Sequence, residues 1–283
     1  MAYPRGAYAP IPTPVGDDGL LQSEALERHL SFVKNGGLTG VLVLGTNGEF
    51  PSFDLNERMA VAEAAARFGG GLELMLGIGS CAVAEAVHLV QTAAHFGYGA
   101  ALLPPPFYFR NAPAAGIAAF FRSVLDAAEI PVLLYHIPQV TGIAISDEIL
   151  DAVEDHPRFG GVKDSSGAED DLHRFTSRLE GRAYLVGHDR LLSAALAAGG
   201  SGSITAVASV APALVVAVGA DPARQPELDR VRSLLEGHGL GPAVKAVLRA
   251  GGIGDYRARP PLLGLDDDDA ARLAAEFEAL IRR

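Results

Sequence analysis

The chain has 283 residues, 49% of them hydrophobic and 20% charged, with 34 acidic against 23 basic side chains for a formal charge of -11. That balance excludes non-specific nucleic-acid binding, which needs a basic face, and the composition excludes disorder. A single cysteine, Cys81, excludes an internal disulfide framework and a cysteine-built zinc site.

Short β-type runs alternate with Ala-rich amphipathic stretches from one end to the other. A run at 7–12 precedes a helical stretch at 23–34, and GVLVLG at 40–45 precedes one at 55–67. LELMLGIG at 72–79 precedes 83–96, and the run at 100–104 precedes 114–128. VLLYHIP at 132–138 precedes 146–154, and FGGVKDS at 159–165 precedes 168–179. AYLVG at 183–187 precedes 189–198, and GSITA at 202–206 is the last β-type run. Ser23 and Ser146 read as helix starts, while Gly36-Gly37, Gly69-Gly70-Gly71 and Gly199-Gly200 read as stops.

Eight strands alternating with helices imply parallel pairing through right-handed crossovers. An open doubly wound sheet is the rival architecture. Even spacing of eight units favours a closed (β/α)8 TIM barrel, as does the lack of a Gly-x-Gly-x-x-Gly loop in the first βα turn. Beyond about Ala211 the strand signal stops, and 228–235, 242–250 and 267–281 read as helices. The expectation is a catalytic barrel over residues 1–220 and a C-terminal helical extension over 221–283. The acidic run 266–269 is expected to be a solvated helix start, where negative charge suits the macrodipole, and is assigned no metal. No apolar run reaches the roughly 18–20 residues of a spanning helix. Residues 1–10 lack the apolar centre of a secretory leader, so a cytoplasmic protein is expected.

Lysine is rare here: only Lys34, Lys163 and Lys245 occur, and nearly all other positive charge is arginine. Lys163 stands inside an apolar strand, on the same period-2 face as the small residues Gly161 and Ser165. Burial disfavours an ammonium and exposes a neutral amine, which attacks a ketone to give an electron-withdrawing imine. Arginine cannot substitute, because it stays protonated. The other reading is a lysine that neutralises Asp164 at a strand end. Tyr135 sits at the matching level of the fifth strand, where its phenol would reach Lys163 and shuttle a proton. Its alternative is an aromatic core residue with a satisfied hydroxyl. The Thr46-Asn47 turn offers backbone N–H groups and a hydroxyl, a cradle for a carboxylate, although many βα turns look alike. Cys81 has no base partner and reads as a bystander.

Taken together, GTNGE at 45–49, Tyr135-x-x-Pro138 and GVKDSSG at 161–167 resemble the dihydrodipicolinate synthase / N-acetylneuraminate lyase superfamily of class I, pyruvate-handling aldolases. The likeness runs over essentially the whole chain, helical tail included. It implies that Lys163 forms the Schiff base with pyruvate or a 2-keto acid and that Tyr135 moves the proton. Thr46 would lie between Tyr135 and a second tyrosine, which Tyr108 resembles and which in the family comes from a neighbouring subunit. Asn47, with the N–H groups of its turn, would hold the pyruvate carboxylate, and Ile204 matches a residue whose backbone lies beside bound pyruvate. The resemblance implies no metal and no organic cofactor, and a homo-oligomer, at least a dimer and commonly a tetramer.

Departures from the family pattern narrow the substrate. Where dihydrodipicolinate synthases carry an arginine for the carboxylate of aspartate semialdehyde, Gln139 leads to Val140, so poor activity of that kind is expected. Losing one charge-assisted carboxylate contact costs on the order of 1.5–3 kcal/mol, roughly tenfold to more than a hundredfold in binding. GTNGEF, PPPFYFR and YHIPQVTG look instead like the 2-keto-3-deoxy sugar-acid aldolases. Arg110 is read either as a contact to a polyol or phosphate group or as a solvated loop or interface residue. His136 is read either as a partner of a substrate hydroxyl or as structural. The expected activity is reversible cleavage of a 2-keto-3-deoxy sugar acid to pyruvate and an aldehyde. A dehydratase of such acids, a dihydrodipicolinate synthase-type condensation and a non-catalytic sugar-acid sensor are the alternatives.

Overall fold

The eight apolar runs become eight short parallel strands because each has a place to bury both of its faces. The computed structural model describes residues 3–282; Met1 and Ala2, at the head of the stretch read for a leader, and Arg283 lie outside it. The strands are β1 (Gly6–Pro10), β2 (Gly40–Val43), β3 (Glu73–Gly77), β4 (Ala100–Leu103), β5 (Val132–His136), β6 (Phe159–Asp164), β7 (Ala183–Val186) and β8 (Gly202–Ile204). They pair in chain order, β1 also pairs with β8, and the sheet closes. Tyr8, Leu42, Met75, Leu102, Leu133, Leu185 and Ile204 fill the barrel interior. Val41, Val43, Leu76, Leu103, Leu134 and Val186 face outward into the core shared with the helices. Full burial of each such aliphatic side chain contributes roughly 1.5–3 kcal/mol, which explains why the runs read as continuous rather than alternating.

The surrounding helices are α1 (Ser23–Asn35), α2 (Leu55–Phe68), α3 (Val83–His95), α4 (Ala114–Ala127), α5 (Pro138–Thr141), α6 (Asp147–Asp151), α7 (Glu169–Arg178), α8 (Leu192–Ala197) and α9 (Pro212–Ala220). Ser146 caps α6 by accepting from the Ile149 N–H, as its position predicted. Ser23 differs: it is the first helical residue, behind Gln22, and supplies no cap. The strongest start belongs to α2, where Asp54 and Glu57 form a reciprocal capping box. The stretch read as one helix at 189–198 divides into a 3-10 turn, Asp189–Leu191, and α8. Helix α9 carries no polar side chain to mark its outer face, so periodicity did not reveal it. Its Pro212, Val215 and Val218 are nevertheless the ones buried.

After the barrel come α10 (Gln225–Gly237), α11 (Leu240–Ala250) and α12 (Asp267–Ile281). Leu228, Val231, Leu235, Val244, Leu248, Leu273 and Phe277 belong to the same core as the outward faces of the strands. Asp266 caps α12 by accepting from the Asp269 N–H, so the acidic run is a helix start. No helix among the described residues is long and apolar enough to cross a membrane.

Strand β6 contains the irregularity that sets up the site. Val132 pairs with Phe159 but Leu133 pairs with Gly161, so one residue of β6, Gly160, is extra. The extra residue reverses the alternation. Phe159 therefore faces the outer core with Val162, while Gly161 and Lys163 face inward opposite Leu133 and Tyr135. Gly161 has φ +127°, and a Cβ there would lie 1.9 Å from the Ala183 carbonyl oxygen. Only glycine fits.

Candidate active site

Lys163 ends inside the barrel, 3% exposed, and its register partner across the strand pair is Tyr135. The Lys163 Nζ lies 4.1 Å from the centroid of the Tyr135 ring. Two hydroxyls meet the phenol: Thr46 Oγ1 at 3.3 Å and Ser165 Oγ at 3.4 Å. Burial by itself would push the phenol pKa up. The Lys163 cation and the hydrogen bonds with Ser165, Thr46 and Lys163 outweigh that and hold it below the ordinary tyrosine value. A phenol so placed gives up its proton more readily than an ordinary tyrosine, beside an amine in an apolar enclosure.

Thr46 reaches Tyr135 from a strained turn. Leu44 and Glu49, on either side of it, both adopt positive φ, 56° and 55°. The Glu49 N–H closes the turn on the Thr46 carbonyl at 3.0 Å. The turn leaves Thr46 exposed at the mouth and Asn47 half-buried, with the Asn47 Nδ2 buried and without a partner. An unpartnered buried donor beside backbone N–H groups suits an anionic or carbonyl oxygen. Ile204 lies in the interior cluster with Tyr135. Gln139 on α5 donates to the Ser165 carbonyl at 2.7 Å, which ties the loop after β5 to the end of β6.

The structure brings Lys163, Tyr135 and Thr46 together, with Ser165 as a further member. It does not bring His136 to them. His136 follows Tyr135 and so points to the opposite side of β5, edge-on to Phe175 at 5.1 Å. Its Nδ1 accepts from the Ile145 N–H at 3.1 Å, so the proton sits on Nε2, which donates to Asp171 at 3.1 Å. Burial lowers its pKa against the pull of Asp164 and Asp171. The reading of His136 as a partner of a substrate hydroxyl is thereby corrected: strand alternation turns it away from the mouth, and both ring nitrogens are occupied.

His136, Asp164 and Asp171 are close enough together to suggest a metal site. Their donor atoms are already engaged, since Asp164 accepts from the Tyr184 hydroxyl at 3.0 Å and the Ser166 N–H at 2.8 Å, and Asp171 accepts from Arg174. This cluster is a hydrogen-bonded brace behind β6 rather than a vacant ligand set.

Tyr108 lies outside the group within this chain, 76% exposed in the loop after β4 and edge-on to Phe109. Arg110 is exposed as well, but its stem runs along the loop after β5: its Cδ would be 2.6 Å from a Cβ at Gly142. Cys81 is exposed and free.

Two residues tied to the site were not singled out from sequence. Ser165 was noted only as a small neighbour, although it shares the Lys163 face and carries a hydroxyl. Nothing beside Lys245 in the sequence marks a role for it. It is 4% exposed, and its Nζ lies 2.5 Å from Glu49 Oε1. Rarity therefore did not single out Lys163, because a second buried lysine serves a wholly different partner.

The Dihydrodipicolinate synthetase family matches residues 3–280. The chain belongs to that family. It is 37% identical over 294 residues to a protein of Chloroflexus aurantiacus described as an uncharacterized DapA-like lyase, covering 99% of this chain and 98% of that one. The crystal structure of dihydrodipicolinate synthase from Aquifex aeolicus superposes with TM-score 0.89 at 26% identity, over 97% of each chain. A prophage protein of the dihydrodipicolinic acid synthase family from E. coli K12, solved in complex with pyruvate, superposes with TM-score 0.91 over 98% of each chain; at 23% identity this likeness concerns the fold. The family is one of pyruvate-dependent class I lyases, and the chain is an enzyme of it.

Proposed function

We propose that this enzyme uses Lys163 as a Schiff-base nucleophile to cleave a 2-keto-3-deoxy sugar acid reversibly into pyruvate and an aldehyde. The observation that carries the reading is the Lys163 amine facing the Tyr135 phenol, itself bonded by Thr46. The neutral amine adds to the C2 ketone, and loss of water leaves a protonated imine. Tyr135 supplies the proton that lets the hydroxyl leave as water. The resulting phenolate takes the proton of the C4 hydroxyl as the C3–C4 bond breaks. The bond's electrons move into the imine to form an enamine, and the aldehyde departs. Protonation at C3 and hydrolysis then release pyruvate and restore the amine. Asn47 and the N–H groups of its turn hold the carboxylate, with the backbone of Ile204 alongside. The imine is the electron sink, so the scheme calls for no metal or organic cofactor.

The sugar-acid branch is favoured by Val140, which stands on α5 where dihydrodipicolinate synthases resemble one another in carrying an arginine. One observation supports a second reading. The Arg110 side chain passes Gly142, two residues beyond Val140, with its Nε 3.1 Å from where a Cβ would stand, so a condensation of pyruvate with an anionic aldehyde would have a cation beside the loop after β5.

Incubation with pyruvate and borohydride should add one reduced pyruvate to the intact mass, located at Lys163 and lost in Lys163→Ala. No added mass would overturn the imine mechanism. A retro-aldol screen over 2-keto-3-deoxy acids, run beside condensation with aspartate semialdehyde, then separates the two substrate readings; dehydration without aldehyde release would point to a dehydratase. Ligand-induced stabilisation without any turnover would instead favour the sensor.

A further inference from the structure

Glu49 is the last residue of the turn that carries Thr46 and Asn47, yet among the described residues its carboxylate is held by the C-terminal extension. Lys245 on α11 approaches Oε1 at 2.5 Å and also donates to the Arg257 carbonyl at 3.0 Å. The Arg259 N–H reaches Oε2 at 3.4 Å. The Arg259 guanidinium then spans the following loop: it donates to the Ser52 carbonyl at 3.0 Å and to both oxygens of Glu57, with its Cζ 4.0 Å from the Phe53 ring centroid. Both Glu49 and Lys245 are buried.

An ion pair in that position is a poor source of stability, since desolvating both charges offsets most of their attraction. It is a good source of geometry. Glu49 sits in the left-handed region, a conformation that non-glycine residues hold only when their surroundings over-determine it. The Glu49 N–H is bonded to the Thr46 carbonyl, so a shift of Glu49 moves Thr46 relative to Tyr135.

We infer that Lys245 is a positioning residue, which through Glu49 fixes the Thr46-Asn47 turn against Tyr135 and so couples the C-terminal extension to imine formation. The inference rests on the Schiff-base reading above. Two variants test it: Lys245→Arg, which keeps the charge but replaces a point cation by a planar, longer fork, and the double variant Lys245→Met with Glu49→Gln, which removes both charges and leaves neither buried alone. The readouts are the rate of borohydride trapping with pyruvate per folded molecule, the KM for pyruvate against kcat, and the alkaline limb of the pH profile.

The expected result is trapping slowed on the order of tenfold to a hundredfold in the double variant, as misplaced catalytic groups give. KM should rise with it, and the alkaline limb should move to higher pH as Thr46 loses its hold on the phenol. Lys245→Arg should show the same changes to a smaller extent. A folded variant of either kind that traps pyruvate at the parent rate with an unmoved pH profile would overturn the inference, whatever its melting temperature. Failure of the parent protein itself to trap pyruvate would instead strike the Schiff-base reading.

Discussion

Thr46 meets the Tyr135 hydroxyl at 3.3 Å from a turn, whereas Lys163 faces the same phenol from the neighbouring strand. The phenol thus answers to two parts of the chain that lie far apart in sequence. Because the Thr46 hydrogen bond helps hold the Tyr135 pKa down, Thr46→Val should let it rise. The alkaline limb of kcat/KM, where the phenol loses its proton, should then move to higher pH. Turnover at the optimum should fall roughly 10²-fold or more, the usual contribution of positioned proton transfer. A pH–rate series on both proteins checks this; an unmoved limb would remove Thr46 from the relay.

Gly161 carries a sharper steric demand. Alanine there would bring Cβ to 1.9 Å from the Ala183 oxygen at a φ that side chains rarely adopt. Gly161→Ala should cost on the order of 1–3 kcal/mol of stability from the backbone alone. The strand must also move to relieve the contact, so Lys163 should trap pyruvate more slowly in whatever fraction remains folded. Denaturant titration and trapping on the same preparation check both effects.

Tyr108 and Phe109 are exposed in the loop after β4, and the resemblance implies that Tyr108 completes the relay of a second copy of the chain. Tyr108→Phe should lower turnover while leaving the melting temperature and oligomeric state unchanged. Sedimentation, thermal unfolding and kinetics on one pair of proteins decide it. Unchanged rates would exclude the hydroxyl from the chemistry.

Away from the site, His29 is fully enclosed between the Ser209 carbonyl, 2.9 Å from Nε2, and the Tyr256 hydroxyl, 2.8 Å from Nδ1. Burial drops its pKa from 6.5 to about 4, so the folded protein keeps it neutral where the unfolded chain protonates it. The unfolded state therefore binds the extra proton between those values. Stability from this group is whole above about 6.5, and is lost as the pH falls toward 4. The total is roughly 3 kcal/mol on the scale of 1.36 kcal/mol per unit. His29→Gln should flatten the dependence of unfolding free energy on pH in that window. A slope equal to that of the parent would assign the acid sensitivity elsewhere.

Much of this was legible in the residues alone. Eight doubly buried strands read as eight apolar runs, and a parallel barrel is the way such runs close without edges. That Lys163 and Tyr135 stand on adjacent strands followed from chain order, while their exact pairing needed the extra residue in β6. Strand alternation also held the answer for His136, which must point away from whatever Tyr135 faces. The β-type runs extend past the strand ends at Gly45, Pro104 and Pro138, because the composition continues there but the ladder hydrogen bonding does not.

By itself the sequence determined the architecture and offered the candidate site residues, since periodicity and side-chain chemistry are local properties that neighbours in the chain report. Tertiary structure alone decided the rest. The extra residue in β6 that turns Lys163 inward is visible only against its partner strand. The lowered pKa of Tyr135 depends on a cation from β6 and on hydroxyls from the residue after β6 and from the turn after β2. Lys245, one of the three lysines with which the composition began, has a charge that any count would record, but its task is set by Glu49, a residue that only folding brings within 2.5 Å.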